Sequence, residues 1–130
     1  MPLIALALAG CGRSEEAQEA DRIVRAIDVV RDAPNDPVAA RTELLGKLEA
    51  EHPKGKLAAA ARDACVGAYR LMLDAQVLEA RVRGALSGPA EDLNPGVLAD
   101  LGTAEAKLKE SKLAMPECDR TLSELKRGFR

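Results

Sequence analysis

Three cysteines (Cys11, Cys65 and Cys118) and one histidine (His52) are the side chains of this 130-residue chain best suited to chemistry, and their spacing excludes most of it. A structural zinc needs four ligands in close pairs, and two widely separated cysteines plus one histidine do not make that set. Redox-active dithiols and c-type haem attachment both need Cys-x-x-Cys, which is missing. A di-iron bundle needs Glu-x-x-His on two helices, and neither copy is present. His52 precedes Pro53 at the end of a helical stretch, where it reads as a ring beside helix-terminal carbonyls and not as a base. Ser111 lies on an apolar stripe with no base nearby in sequence, so it reads as a hydroxyl bonded to a helix carbonyl or a water. The carboxylate pairs Glu15 and Glu16, Glu49 and Glu51, and Glu91 and Asp92 fall at helix ends or on polar faces, where they are solvated charge or dipole partners. Neither of the glycine-rich phosphate loops occurs. The expectation is a non-catalytic protein with no cofactor and no metal.

Composition narrows the partners. Nineteen Lys and Arg against twenty-one Asp and Glu leave a net charge of −2, so there is no basic surplus for a row of phosphates, and nucleic acid is excluded as a general partner. One Phe, one Tyr and no Trp provide no stacking platform for bases or flat cofactors. The length suits one domain. An abundance of Ala and Leu, with few β-branched residues, favours helix over sheet and predicts an all-α fold.

Residues 2–9, Pro-Leu-Ile-Ala-Leu-Ala-Leu-Ala, form an apolar run too short to span a bilayer but of the size of a signal-peptide core. It ends directly on Leu8-Ala9-Gly10-Cys11, which resembles the lipobox of bacterial lipoproteins. The resemblance covers these first residues alone, and the basic residues that usually open such a signal are missing before the apolar run. It implies cleavage after Gly10, so that residues 1–10 are a signal peptide and residues 11–14 a lipidated tether ahead of a helical domain at 15–130. It also implies a diacylglyceryl thioether on Cys11 and a membrane held through that lipid. Gly12 stands where Asp would retain such a protein at the inner membrane, which implies the outer membrane, facing the periplasm. Cys65 and Cys118 are then the two thiols left in an oxidising compartment.

Four helices must position these residues. Ser14 caps the first, with Glu15 and Glu16 in its opening turn and Ala20, Ile23, Val24, Ile27 and Val30 on one face over about 15–32. Asp36 as cap and Pro37 as first residue start the second, over about 37–51, burying Val38, Leu44, Leu45 and Leu48. The third carries Leu57, Ala61, Ala64, Ala68, Leu71, Ala75, Leu78, Val82 and Ala85 at alternating steps of four and three, the seam of a helical hairpin, and ends at Ser87-Gly88-Pro89. Asn94 and Pro95 restart the chain, and the fourth repeats the spacing with Val97, Leu101, Ala104, Leu108, Ser111, Met115, Cys118, Leu122, Leu125 and Phe129. Pro116 inside it predicts a kink or a break. The architecture expected is an antiparallel up-down four-helix bundle with a long C-terminal hairpin.

An antiparallel register that sets Leu86 against Val97 also sets Cys65 against Cys118, Ala68 against Met115 and Ala75 against Leu108. Small faces large along the seam, which fills a core without voids. The two cysteines are therefore expected either as a disulfide or as a pair of buried thiols acting as small hydrophobes. Helix three has a second stripe, Val66, Tyr69, Leu73 and Val77, which fades after Leu78 into Glu79, Arg81 and Arg83. The two short helices should cover that stripe and leave the 79–108 end projecting. Its residues Val82, Leu86, Leu93, Leu98 and Leu101 then form an interaction surface for an unknown envelope protein or a second copy. A rival expectation is a small apolar ligand or lipid held between the helices near Met72, Ser111 and Met115. Arg13, Lys54, Lys56, Lys126, Arg127 and Arg130 gather at the opposite end, as ordinary helix-terminal charge or as a contact to anionic head groups.

Overall fold

Ser14 opens the first helix as its side chain predicts, its hydroxyl accepting from the Ala17 amide at 3.1 Å. In the computed structural model, which describes residues 14–35 and 37–129, the chain forms α1 (Glu15–Asp32), α2 (Val38–Glu49), α3 (Lys56–Ser87), a single 3-10 turn (Ala90–Asp92) and α4 (Pro95–Gly128). There is no strand among the described residues. The expected signal segment 1–10, Cys11, Arg13, Asp36 and Arg130 lie outside them. The fold is an all-α bundle in which α3 touches every other helix and α2 packs on α1 and α3 without reaching α4.

Helix length dictates this arrangement. At about 1.5 Å per residue α1 and α2 span roughly 27 and 18 Å, whereas α3 and α4 span roughly 48 and 51 Å. The main core holds Ile23, Ile27 and Val30 from α1, Leu45 and Leu48 from α2, and Ala58 to Leu73 from α3. Cys118, Leu122 and Leu125 of α4 complete it. Beyond Leu73 the buried α3 positions are Ala75 and Val82, both on the seam toward α4. The expected second stripe therefore ends early: Tyr69 and Leu73 are buried, and Val77 is exposed.

The hairpin keeps the register read from its heptads. Cys65 and Cys118 are joined by a disulfide with a Cα–Cα distance of 4.5 Å. Ser111 Oγ donates across the seam to the Ala68 carbonyl at 2.9 Å, and the ion pairs Lys107–Asp74 (3.6 Å) and Arg81–Asp100 (3.8 Å) follow the same alignment. Pro116 does not break α4, which runs through it unbroken. Pro116 and Lys112 both lie on the exposed side, where water can replace the missing donor, and Ser111 and Cys118 pin the flanking turns to α3.

The α2 start differs from expectation. Pro37 flanks α2 in extended conformation and Val38 is the first helical residue, because the proline ring favours the extended backbone that enters the helix. Gly128 is the last residue of α4 and Phe129 its cap. A Cβ at Gly128 would meet Leu57 Cδ1 at 2.9 Å, so glycine there permits close approach of the α4 end to the α3 start.

Arg41 joins the two short helices. The last carbonyls of α1 have no partner within the helix. Arg41, 6% exposed, sends its guanidinium back to them: Nε donates to the Val30 carbonyl at 2.9 Å, and Nη2 to those of Arg31 (3.2 Å) and Ala33. Nη1 donates to Asn35 Oδ1 at 2.7 Å. The cation also sits at the negative end of the α1 dipole. Arg41→Met, which keeps the stem and removes the fork, should lower unfolding free energy by about 3 kcal/mol in urea melts, with Arg41→Lys recovering only part, since an ammonium cannot reach several carbonyls at once. Reducing the disulfide, or replacing both cysteines by Ser, should cost about 4 kcal/mol on the chain-entropy estimate for the loop it closes, read from the same melts with and without reductant.

Candidate functional site

The two ends of the molecule have different chemistry. At the basal end the start of α1, the α2–α3 turn and the end of α4 converge, with Glu16, Glu19, Gly55, Leu57 and Phe129 around a shallow cleft. Glu19 accepts from the backbone amides of Lys54 (2.9 Å) and Gly55 (2.8 Å), just ahead of α3. Those two bonds hold its carboxyl below the usual 4.5. Lys54, Lys56, Lys126 and Arg127 are exposed here, but acids are interleaved: Glu51 faces Arg22 at 3.9 Å and Glu124 accepts from Arg120 at 2.6 Å. The described part of this end is a mixed, ion-paired surface rather than a basic patch.

At the far end, roughly 45 Å along α3, the hairpin closes through the 3-10 turn. Asn94 caps α4 by accepting from the Val97 amide at 3.2 Å, and Pro95 takes the first helical position. Val82, Leu86, Leu93, Pro95, Val97, Leu98 and Leu101 line one groove of about 470 Å³. The five residues singled out from the sequence thus meet in one place. Their roles differ. Leu86 and Leu98 are 63% and 72% exposed and Leu93 49%, whereas Val82, expected on the exposed surface, is 6% exposed and forms the floor, because it still lies on the seam. Pro95 belongs to the groove and was legible only as a helix start; Val97 was legible only as a seam residue.

Exposed apolar residues elsewhere, such as Val29 and Leu113, stand apart from this cluster, as single surface hydrophobes commonly do. A second cavity of about 630 Å³ is a notch of mixed lining between the α1–α2 turn and the flank of α3, where Asn35, Gln76, Glu79 and Arg83 meet Val38 and Ala80. Gln76 Oε1 is buried there with no hydrogen-bond partner.

The remaining sequence expectations find other places. His52 is exposed. Ser111 is buried and donates to the Ala68 carbonyl, and Met72 and Met115 pack half-buried against the core. Among the described residues no three His, Cys, Asp or Glu side chains are placed to share a metal ion, and no helix is long and apolar enough to cross a membrane. Cys11, the expected lipidation site, lies outside the described residues.

Comparison with protein-family models, with curated proteins and with solved structures finds no match. Apolar residues that complete a core are costly to polarise, whereas those held out to solvent are not. Leu86→Ser and Leu98→Ser should each change unfolding free energy by no more than about 0.5 kcal/mol in urea melts, against a loss several times larger for a core change such as Leu73→Ser.

Proposed function

We propose that this chain is a non-catalytic, lipid-anchored protein of the bacterial cell envelope that presents the tip of its α3–α4 hairpin to a protein partner. The single observation that carries the reading is the cluster of solvent-held leucines around the tip groove, at the end of the hairpin opposite the start of α1. A groove of about 470 Å³ falls in the range of small-molecule sites. Its walls, however, hold Leu86 and Leu98 mostly in solvent, and a small ligand in the groove would leave them wet. A macromolecular surface laid over the tip covers them, which is how contiguous exposed apolar patches are ordinarily used.

The anchor rests on the sequence. The apolar run ending in Leu8-Ala9-Gly10-Cys11 supports a thioether-linked lipid on Cys11, and Gly12 supports an outer-membrane address facing the periplasm. An oxidising compartment accords with a disulfide between Cys65 and Cys118. The start of α1 lies at the basal end, and the hairpin carries the groove roughly 45 Å away from that end along α3.

Intact mass of the protein taken from its native membrane, before and after reduction, tests the anchor. The expected species begins at Cys11, carries the mass of its acyl groups, and gains the hydrogens of one reduced disulfide. An unacylated chain that retains residues 1–10 would overturn the reading. Cys11→Ser should move the protein from the membrane to the soluble fraction.

A further inference from the structure

The tip groove carries a charge pattern that selects among occupants. From Gly84 to Ala106 the sequence holds Glu91, Asp92, Asp100 and Glu105 and no Lys or Arg. Of the nearest cations on α3, Arg81 pairs with Asp100 at 3.8 Å, and Arg83, exposed one turn before Leu86, lines the notch between α3 and the α1–α2 turn. Glu91 is exposed beside Leu93, and Glu105 is exposed one turn beyond Leu101 on the same stripe of α4. The groove is therefore apolar along its floor and walls, and the carboxylates Glu91, Asp100 and Glu105 outnumber the cations Arg81 and Arg83 in the chain beside it.

The surroundings decide the shape of the occupant. Among the described residues there is no strand edge to accept an added strand, and no aromatic residue lines the groove to take a proline-rich segment. Two helices with leucines standing between them leave the mode in which an amphipathic helix lays its apolar face into a groove. A second copy would bring the same carboxylates against these, and an anionic membrane surface would be repelled for the same reason.

Building on the tip-docking reading above, we infer that the occupant is a cationic amphipathic helix of another protein, its apolar anchors seated on Leu86, Leu93, Leu98 and Leu101 and its flanking Lys or Arg facing Glu91 and Glu105. Recognition divides accordingly. The leucines supply the affinity, and the carboxylates supply orientation and discrimination.

Two synthetic helical peptides test this on the full chain. They share leucines at helical spacing and differ in having Lys or Glu on the flanks, and binding is read by fluorescence anisotropy. The Lys-flanked peptide should bind about tenfold more tightly than the Glu-flanked one, with the margin shrinking as salt rises to about 0.5 M. Glu91→Lys with Glu105→Lys should reverse the preference, and Leu86→Ser with Leu98→Ser should abolish binding of both peptides. These positions are exposed, and unchanged helicity of each variant confirms its fold. Equal binding of the two peptides, lost in the leucine variant, overturns the cationic partner and leaves the docking tip standing. Binding unaffected by the leucine changes, or no binding of either peptide, overturns the inference; the first of these overturns the tip reading as well. A concentration-dependent dimer in sedimentation, dissolved by the leucine changes, assigns the groove to a second copy instead.

Discussion

The seam between α3 and α4 is the contact on which the rest of the molecule depends, because it is the one interface long enough to order both helices along their whole length. Alanines at Ala61, Ala68, Ala75 and Ala104 are fully buried on it, so the two backbones approach closely while leucines opposite fill the layers. The same closeness lets Cys65 and Cys118 bridge at a Cα–Cα distance of 4.5 Å. Ser111 adds a second fixed point, its hydroxyl tying α4 to an α3 carbonyl that belongs to the helix ladder. A register error would expose the leucines and separate the cysteines together, so packing and cross-link specify one alignment.

The short helices are accessories to that hairpin, and polar groups decide where they sit. Leu45 and Leu48 of α2 pack into the core, and Arg41 binds the carbonyl end of α1, so the α1–α2 corner closes around a guanidinium. Tyr69, the one tyrosine, is buried on α3 with its hydroxyl accepting from Arg31 Nε at 3.4 Å, and Arg31 also reaches Asp119 of α4 at 3.1 Å. That bond to the Tyr69 hydroxyl, together with the neighbouring carboxylates, raises the Arg31 pKa, while burial works against it. One exposed arginine thus links three helices at modest energetic weight, since exposed pairs are screened. Arg41 contributes more because it is itself buried and its bonds to the Val30 and Ala33 carbonyls are out of water.

The sequence was most legible where one local rule decides the outcome. Ser14 and Asn94 cap helices because short polar side chains satisfy free amides, and the steps of four and three in α3 and α4 fix the seam and with it the cysteine pair. It was least legible where tertiary context overrides a rule. Arg41 occupies a slot of the α2 apolar face, three residues after Val38 and four before Leu45, and nothing local says that an arginine there turns inward to carbonyls. Pro116 obeys its local rule by removing a bond, yet the anchors on either side of it keep the helix whole. Val82 looked like one of a set of tip hydrophobes, and only the closed hairpin separates the floor of the groove from its walls.

That separation bears on what the tip is for. Folding requires the seam to close, and Ala75, Val82 and Ala104 accomplish this with small or buried groups. Leu86, Leu93 and Leu98 contribute little to it, since roughly half or more of each remains in water. Polar side chains at those positions would satisfy the hairpin equally well and reduce the risk of non-specific association. The acidic residues around them act in that protective direction, because like charges keep two tips apart. Under the reading proposed above, an apolar cluster that folding does not require, held at the far end of the hairpin, serves as a surface for another molecule.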